Sequence, residues 1–144
     1  MSAYTARILN AIGVNKTRGS FTNDTHEAWA INEVGWATKI SHRTHGAHFI
    51  LNTADNGRGP LVEAHKARNG VEDLCNPPSH GLGRLDTTQT GFRFADAFMW
   101  THPPGNSSGC GGSPRGGVFY LARALDEAAH ANGQLGPEFP SRPF

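Results

Sequence analysis

Two cysteines, Cys75 and Cys110, sit in Gly/Pro-rich loops on either side of one apolar run, and no other feature restricts the fold as much. The first loop reads Cys75-Asn76-Pro77-Pro78-Ser79-His80-Gly81-Leu82-Gly83, and the second reads His102-Pro103-Pro104-Gly105-Asn106-Ser107-Ser108-Gly109-Cys110. Between them, Phe92, Phe94, Ala97, Phe98 and Trp100 mark residues 92–100 as a well-buried strand that leaves one loop and enters the other. Loops at strand tips can be pinned together, so a Cys75–Cys110 disulfide is expected, with two buried free thiols as the alternative. Closing that loop would stabilise the fold by about 4 kcal/mol on a chain-entropy argument.

Such a link matters because the chain is poor in core-forming residues. Leu, Ile, Val and Phe number 27 of 144, near the floor of about 20% below which chains tend to lack a core. The 18 glycines and 9 prolines commit much of the chain to turns. A net charge of +1 is not the high charge of disordered sequences, so a folded, core-poor single domain is expected over residues 1–144. That charge also gives no reason to expect nucleic acid or an anionic membrane as partner. No apolar run approaches the roughly 20 residues a membrane span needs. Residues 1–20 lack the apolar core of a secretory signal.

Residues 6–14 mix apolar and β-branched side chains and are expected as a strand, followed by a polar loop over 16–23. Asp24 and Glu27 have capping-box spacing, so a helix is expected over 25–44, with Ala30, Val34, Ala37 and Ile40 on its apolar face and Gly46 closing it. A strand over 48–53 then completes a parallel, right-handed strand–helix–strand unit. A long Gly/Pro/Asn/Asp connection spans 54–91, and its length points to function. A second helix is expected over 118–130, with Phe119, Leu121, Ala122, Leu125 and Ala129 on its apolar face, and residues 135–144 are expected as an extended tail. The class is α/β, a partial (β/α) barrel with both long loops on one rim, and its open strand edges make self-association possible.

Bland alternatives dispose of several motifs. The stretch 109–117 has the glycines of a phosphate loop but lacks the Lys-Ser/Thr ending and is interrupted by Pro114, so a rim loop is favoured. Of the eight histidines only His42 and His45 are close in helical register, with no ligand at metal spacing, so neither a metal nor another cofactor is expected. Nothing has the form of a nucleophile elbow.

The order His48-Phe49-Ile50-Leu51-Asn52-Thr53-Ala54-Asp55-Asn56-Gly57, then Cys75-Asn76-Pro77-Pro78 with Gly81-Leu82-Gly83, then Asp96-Ala97-Phe98-Met99-Trp100 and Pro103-Pro104-Gly105, resembles the carboxy-terminal half of glycoside hydrolase family 6. The resemblance implies a distorted (β/α) barrel, a groove for a β-glucan or oligosaccharide, secretion, and inverting hydrolysis of β-1,4-glucosidic bonds. Inversion needs a carboxylic acid on the leaving oxygen and a base that activates water across the ring. The family's acid is an aspartate upstream of the matched part, and this chain is expected to lack it.

Several positions depart from the family. Leu74 stands where a tryptophan stacks on a sugar ring, and His102 and Asn106 stand for the sugar-binding lysine and glutamate. Ser108 occupies the position of the proposed base and cannot take a proton at neutral pH. Asn52 replaces the acid of the DTSRNG motif, while Asn76 is retained beside the first cysteine. Two outcomes compete: a divergent glycosidase in which a proton travels through ordered water to another carboxylate such as Asp55, or a noncatalytic fragment with at most weak sugar binding.

Overall fold

A three-stranded parallel sheet organises the computed structural model, which describes residues 1–17, 19–23, 29–58, 75–76 and 81–136. Its elements are helix α1 (Ser2–Ala11), strand β1 (Ser20–Asn23), helix α2 (Ala30–Arg43), strands β2 (His48–Asn52) and β3 (Ala95–Met99), and helix α3 (Leu121–Ala129). The strands lie in the order β1-β2-β3, with β2 paired in parallel to both neighbours. The expected α/β class and a parallel β1–α2–β2 unit are therefore present.

The first strand is not where periodicity put it. Residues 6–11 form the larger part of α1 and Val14 begins a short 3-10 turn, because Ala6 and Leu9 face the core three positions apart while Ile8 and the capping Ile12 lie on the outer side. Gly13, at φ 83°, ends the helix in a left-handed turn that a β-branched residue would not adopt. The strand comes instead from the expected loop: Ser20–Asn23 pairs with His48–Leu51 and contributes one large apolar side chain, Phe21. A four-residue strand with one core residue leaves no alternation to detect.

The remaining elements keep their expected order within shorter bounds: Trp29 is the N-cap of α2 rather than part of a helix running from 25, and β3 begins at Ala95 rather than at 92. α2 buries Ala30, Val34, Ala37 and Ile40, and it closes through His45 and Gly46, both at positive φ, with the Gly46 amide donating to the Ser41 carbonyl. The Asp24/Glu27 cap lies outside the described residues, as do most of the 59–80 segment and residues 137–144 of the expected tail. Phe21, Phe49, Leu51, Phe94 and Phe98 form the centre of the core with the inner face of α2.

α3 sits where expected but faces the other way. Glu127 is its fully buried residue, whereas Leu121 and Leu125 are 61% and 62% exposed. The expected apolar face thus points away from the body of the structure.

At the amino ends of the strands a polar clamp ties all three together. His48 Nδ1 lies 2.6 Å from Asp96 Oδ1, and the Ser20 hydroxyl donates to Asp96 Oδ2. Burial pushes the Asp96 carboxyl up, but the hydrogen bonds from Ser20 and His48 and the charge of His48 outweigh it, so the group titrates below its ordinary 3.8. A carboxyl lowered in the folded state stabilises it above the unfolded value, and this contribution is lost as pH falls through the lowered value. Because both side chains are nearly half exposed, the effect should stay below about 1 kcal/mol. Asp96→Asn is expected to lower the urea midpoint at neutral pH, and the gap to the parent should narrow as pH is taken below 3.8. A gap that stays constant over that range would contradict the clamp.

Candidate functional site

The carboxyl ends of β2 and β3 converge through Asn52, the last residue of β2. Its Oδ1 accepts from the backbone amides of Ala54 and Thr101, both at 3.1 Å, so one buried side chain caps its own strand and joins it to the tip of β3. Thr53 Oγ1 and the Trp100 indole both donate to the Arg84 carbonyl. Between the strand tips and α3 runs Gly81-Leu82-Gly83, and sterics explain both glycines. A Cβ at Gly83 would fall 2.3 Å from the Thr53 carbonyl oxygen, and one at Gly81 would fall 2.1 Å from that of His130. The backbone therefore threads between the sheet and the end of α3, with the Leu82 amide donating to the Glu127 carbonyl.

The two cysteine loops meet over this rim. Cys75 and Cys110 form the disulfide, with Cα atoms 5.7 Å apart. Beside it Asn76, at φ 45°, and Ser108 clasp each other: the Ser108 amide donates to Asn76 Oδ1 at 2.7 Å, and the Asn76 amide donates to Ser108 Oγ at 3.2 Å. Asn76 Nδ2 donates onward to Ser113 Oγ, which also bonds Ser107 Oγ and the Cys110 carbonyl. The glycine-rich stretch 109–117 is thus a rim loop tied down by hydroxyls. Asn106 is held by its backbone in an isolated antiparallel bridge to Phe119.

Arg123 of α3 reaches under this clasp and joins its parts. Its Nη1 donates to Ser108 Oγ at 3.0 Å and to Asn76 Oδ1 at 3.3 Å. Its Nη2 lies 3.5 Å from Asp55 Oδ2, and its Nε donates to Glu127 Oε1. Glu127 Oε2 in turn accepts from the Gly105 amide at 2.6 Å. His102 completes the group, with Nε2 3.5 Å from Asp55 Oδ1. Asp55 is 2% and Glu127 1% exposed, so both carboxylates lie beneath the surface. The guanidinium supplies the charge-assisted hydrogen bonds that buried carboxylates require.

Of the residues singled out in the sequence, Asn76, Ser108, His102 and Asp55 are gathered around Arg123. Leu74 lies outside the described residues. Arg123 and Glu127 carried no motif; their one signal was i,i+4 spacing of opposite charges, which on most helices marks a solvated pair. Among the described residues no group of three side chains could hold a metal ion, and no described helix is long and apolar enough to cross a membrane.

The model of glycosyl hydrolases family 6 matches residues 6–139. Endoglucanase A of Thermobispora bispora is 30% identical over 128 residues, which is 88% of this chain and 26% of that protein. A probable 1,4-beta-D-glucan cellobiohydrolase C of Aspergillus niger is 40% identical over 63 residues, 44% of this chain and 13% of that protein. An endoglucanase structure from Mycobacterium tuberculosis, in complex with methyl-cellobiosyl-4-deoxy-4-thio-β-D-cellobioside, superposes with a TM-score of 0.76 at 35% identity, covering 90% of this chain and 43% of that one. The described sheet and helices are accordingly part of an α/β barrel-type fold. The chain spans about a quarter of the curated endoglucanase and less than half of the solved one.

The disulfide holds the Asn76–Ser108 clasp, and its sequence separation is 35. Replacing both cysteines by serine is expected to lower the unfolding free energy by up to about 4 kcal/mol. Urea denaturation of the double variant measures this, and a loss below about 1 kcal/mol would mean that the rim is held by its hydrogen bonds alone.

Proposed function

The chain belongs to glycosyl hydrolases family 6, and from that premise we propose that it forms the carboxy-terminal rim of a β-1,4-glucan groove that binds oligosaccharide without cleaving it alone. It is related to endoglucanases and cellobiohydrolases. The observation that carries the proposal is the state of Ser108. Its hydroxyl accepts from Arg123 and from the Asn76 amide, and no carboxylate stands at that position. The carboxylates nearest to it through the network, Asp55 and Glu127, are buried and paired with Arg123.

A base must accept a proton from water and keep it while the glycosidic bond breaks. Arg123 bridges Ser108 to Asp55 but cannot relay a proton, because a guanidinium does not lose one in proteins. A glycosidase reading therefore has to run through His102, which is one-third exposed and lies against Asp55. Binding places fewer demands on the site: Asn106 and His102 are side chains of the mixed donor and acceptor kind that sugar hydroxyls take up, and Asn76 holds the loop that follows them in shape. We place the protein outside the cell, where a structural disulfide persists.

The purified chain is expected to release no reducing ends from carboxymethylcellulose above a blank, and to give weak, saturable heats when titrated with cello-oligosaccharides. Ser108→Asp should leave the first result unchanged. Turnover by the parent chain would overturn the noncatalytic reading, turnover appearing only in Ser108→Asp would show that the missing carboxylate alone silences the chain, and an absence of heats would remove the groove.

A further inference from the structure

The end of the sheet opposite the rim is basic. Lys39, His42 and Arg43 lie at the carboxyl end of α2, His45 in the turn after it, His48 opens β2 and Arg93 precedes β3, and all six are exposed. Phe94 gathers three of them. The His42 and His48 rings stand edge-on to it at centroid distances of 5.1 and 5.9 Å, and the Arg93 guanidinium lies 5.1 Å from its centre. Arg43 Nη1 donates to the Lys39 carbonyl, which holds a further cation against the same helix end. The acids of the described residues sit elsewhere: Glu33 in the first turn of α2, Asp86 on the Trp100 amide at the tip of β3, and Asp55, Asp126 and Glu127 at the rim and on α3. Asp96 is the exception, and Ser20 and His48 already take it up.

An aromatic face attracts cations, and positive side chains suit a helix carboxyl end. Those two effects account for Arg93 and for the last turn of α2, but not for six such residues around a single, already engaged carboxylate. Each would need a polar partner if protein covered it, so this end of the sheet belongs to solvent or to an anionic ligand.

We propose that this end is a second binding surface, separate from the rim, for a carboxylate-bearing polysaccharide such as a polyuronate. Asp96 shows how a carboxylate is held here, with one oxygen on the His48 imidazole and the other on the Ser20 hydroxyl. The carboxylates of an extended polymer would meet Lys39, His42, Arg43 and Arg93 in the same manner, the two arginines through paired hydrogen bonds. Nucleic acid is the poorer fit, because a chain of net charge +1 lacks the field that draws a phosphate backbone. The choice of a polysaccharide over an acidic protein rests on the glucan groove proposed at the other end of the strands.

Affinity electrophoresis of the intact chain through gels containing polygalacturonate, at about pH 5.5 where a free imidazole is largely charged, tests this surface. The parent should be retarded, and less so as salt is raised. Lys39→Glu and Arg93→Glu should each weaken retention by roughly fivefold, the worth of one exposed ion pair, with an unchanged circular dichroism spectrum. Arg115→Glu, the same change of charge on the exposed rim loop, should behave as the parent does. An unretarded parent would overturn the proposal, as would retention that neither Lys39→Glu nor Arg93→Glu weakens. Equal weakening in all three variants would reduce the effect to net charge, and equal retention by dextran sulfate or duplex DNA would reduce it to general attraction for polyanions; either result also overturns it. Cello-oligosaccharide heats without polygalacturonate retention would sink this surface and leave the groove standing, whereas retention without heats would remove the groove alone.

Discussion

The buried pair of Arg123 and Glu127 determines which way α3 faces, and much else follows from that orientation. Two opposite charges one turn apart would ordinarily sit in solvent. Here Glu127 accepts the Gly105 amide and the Arg123 guanidinium, while Arg123 spreads its remaining donors over Ser108, Asn76 and Asp55. With the polar face committed to the rim, Leu121 and Leu125 have nowhere to go but outward. One interaction therefore sets the chemistry of the rim and the apolar character of the outer surface.

The disulfide and the Arg123 network hold the same clasp from opposite sides. Cys75–Cys110 fixes the two loops, and Arg123 fixes the side chains that the loops present. Family 6 membership supplies the frame, and Asn76, Ser108, His102 and Asp55 lie within this clasp and beside it. Ser108, one of the positions singled out in the sequence, accepts from an arginine of α3. At the strand tips, Asn52 has a structural role that a carboxylate could not fill in the same way without placing another buried charge beside Asp55. The proposed noncatalytic role rests on this arrangement, in which the side chains of the rim are committed to one another.

Legibility in the sequence followed local physics. α2, β2 and β3 were apparent because each buries a regular pattern, Ala30/Val34/Ala37/Ile40 in the helix and Phe49/Leu51 and Ala97/Phe98 in the strands. β1 was hidden because Phe21 alone faces the core, and α1 was mistaken for a strand because its apolar residues divide between an inner pair and an outer stripe. The disulfide followed from two cysteines in facing loops. Arg123 and Glu127 were missed for a tertiary reason: an i,i+4 pair does not announce its side of the helix, and the leucines beside it implied the opposite face. Asp55 and Ser108 were legible as candidates, but the guanidinium between them was not.

A double-mutant cycle at Arg123 and Glu127, read by urea denaturation, tests the orientation of α3 most directly. With the pair buried, Arg123→Met and Glu127→Leu should each cost about 3 kcal/mol, since each leaves a charge without its partner. The combined variant should then cost less than the sum of the two by more than about 1 kcal/mol. Small losses that add within about 0.5 kcal/mol would place the pair in solvent and contradict the account.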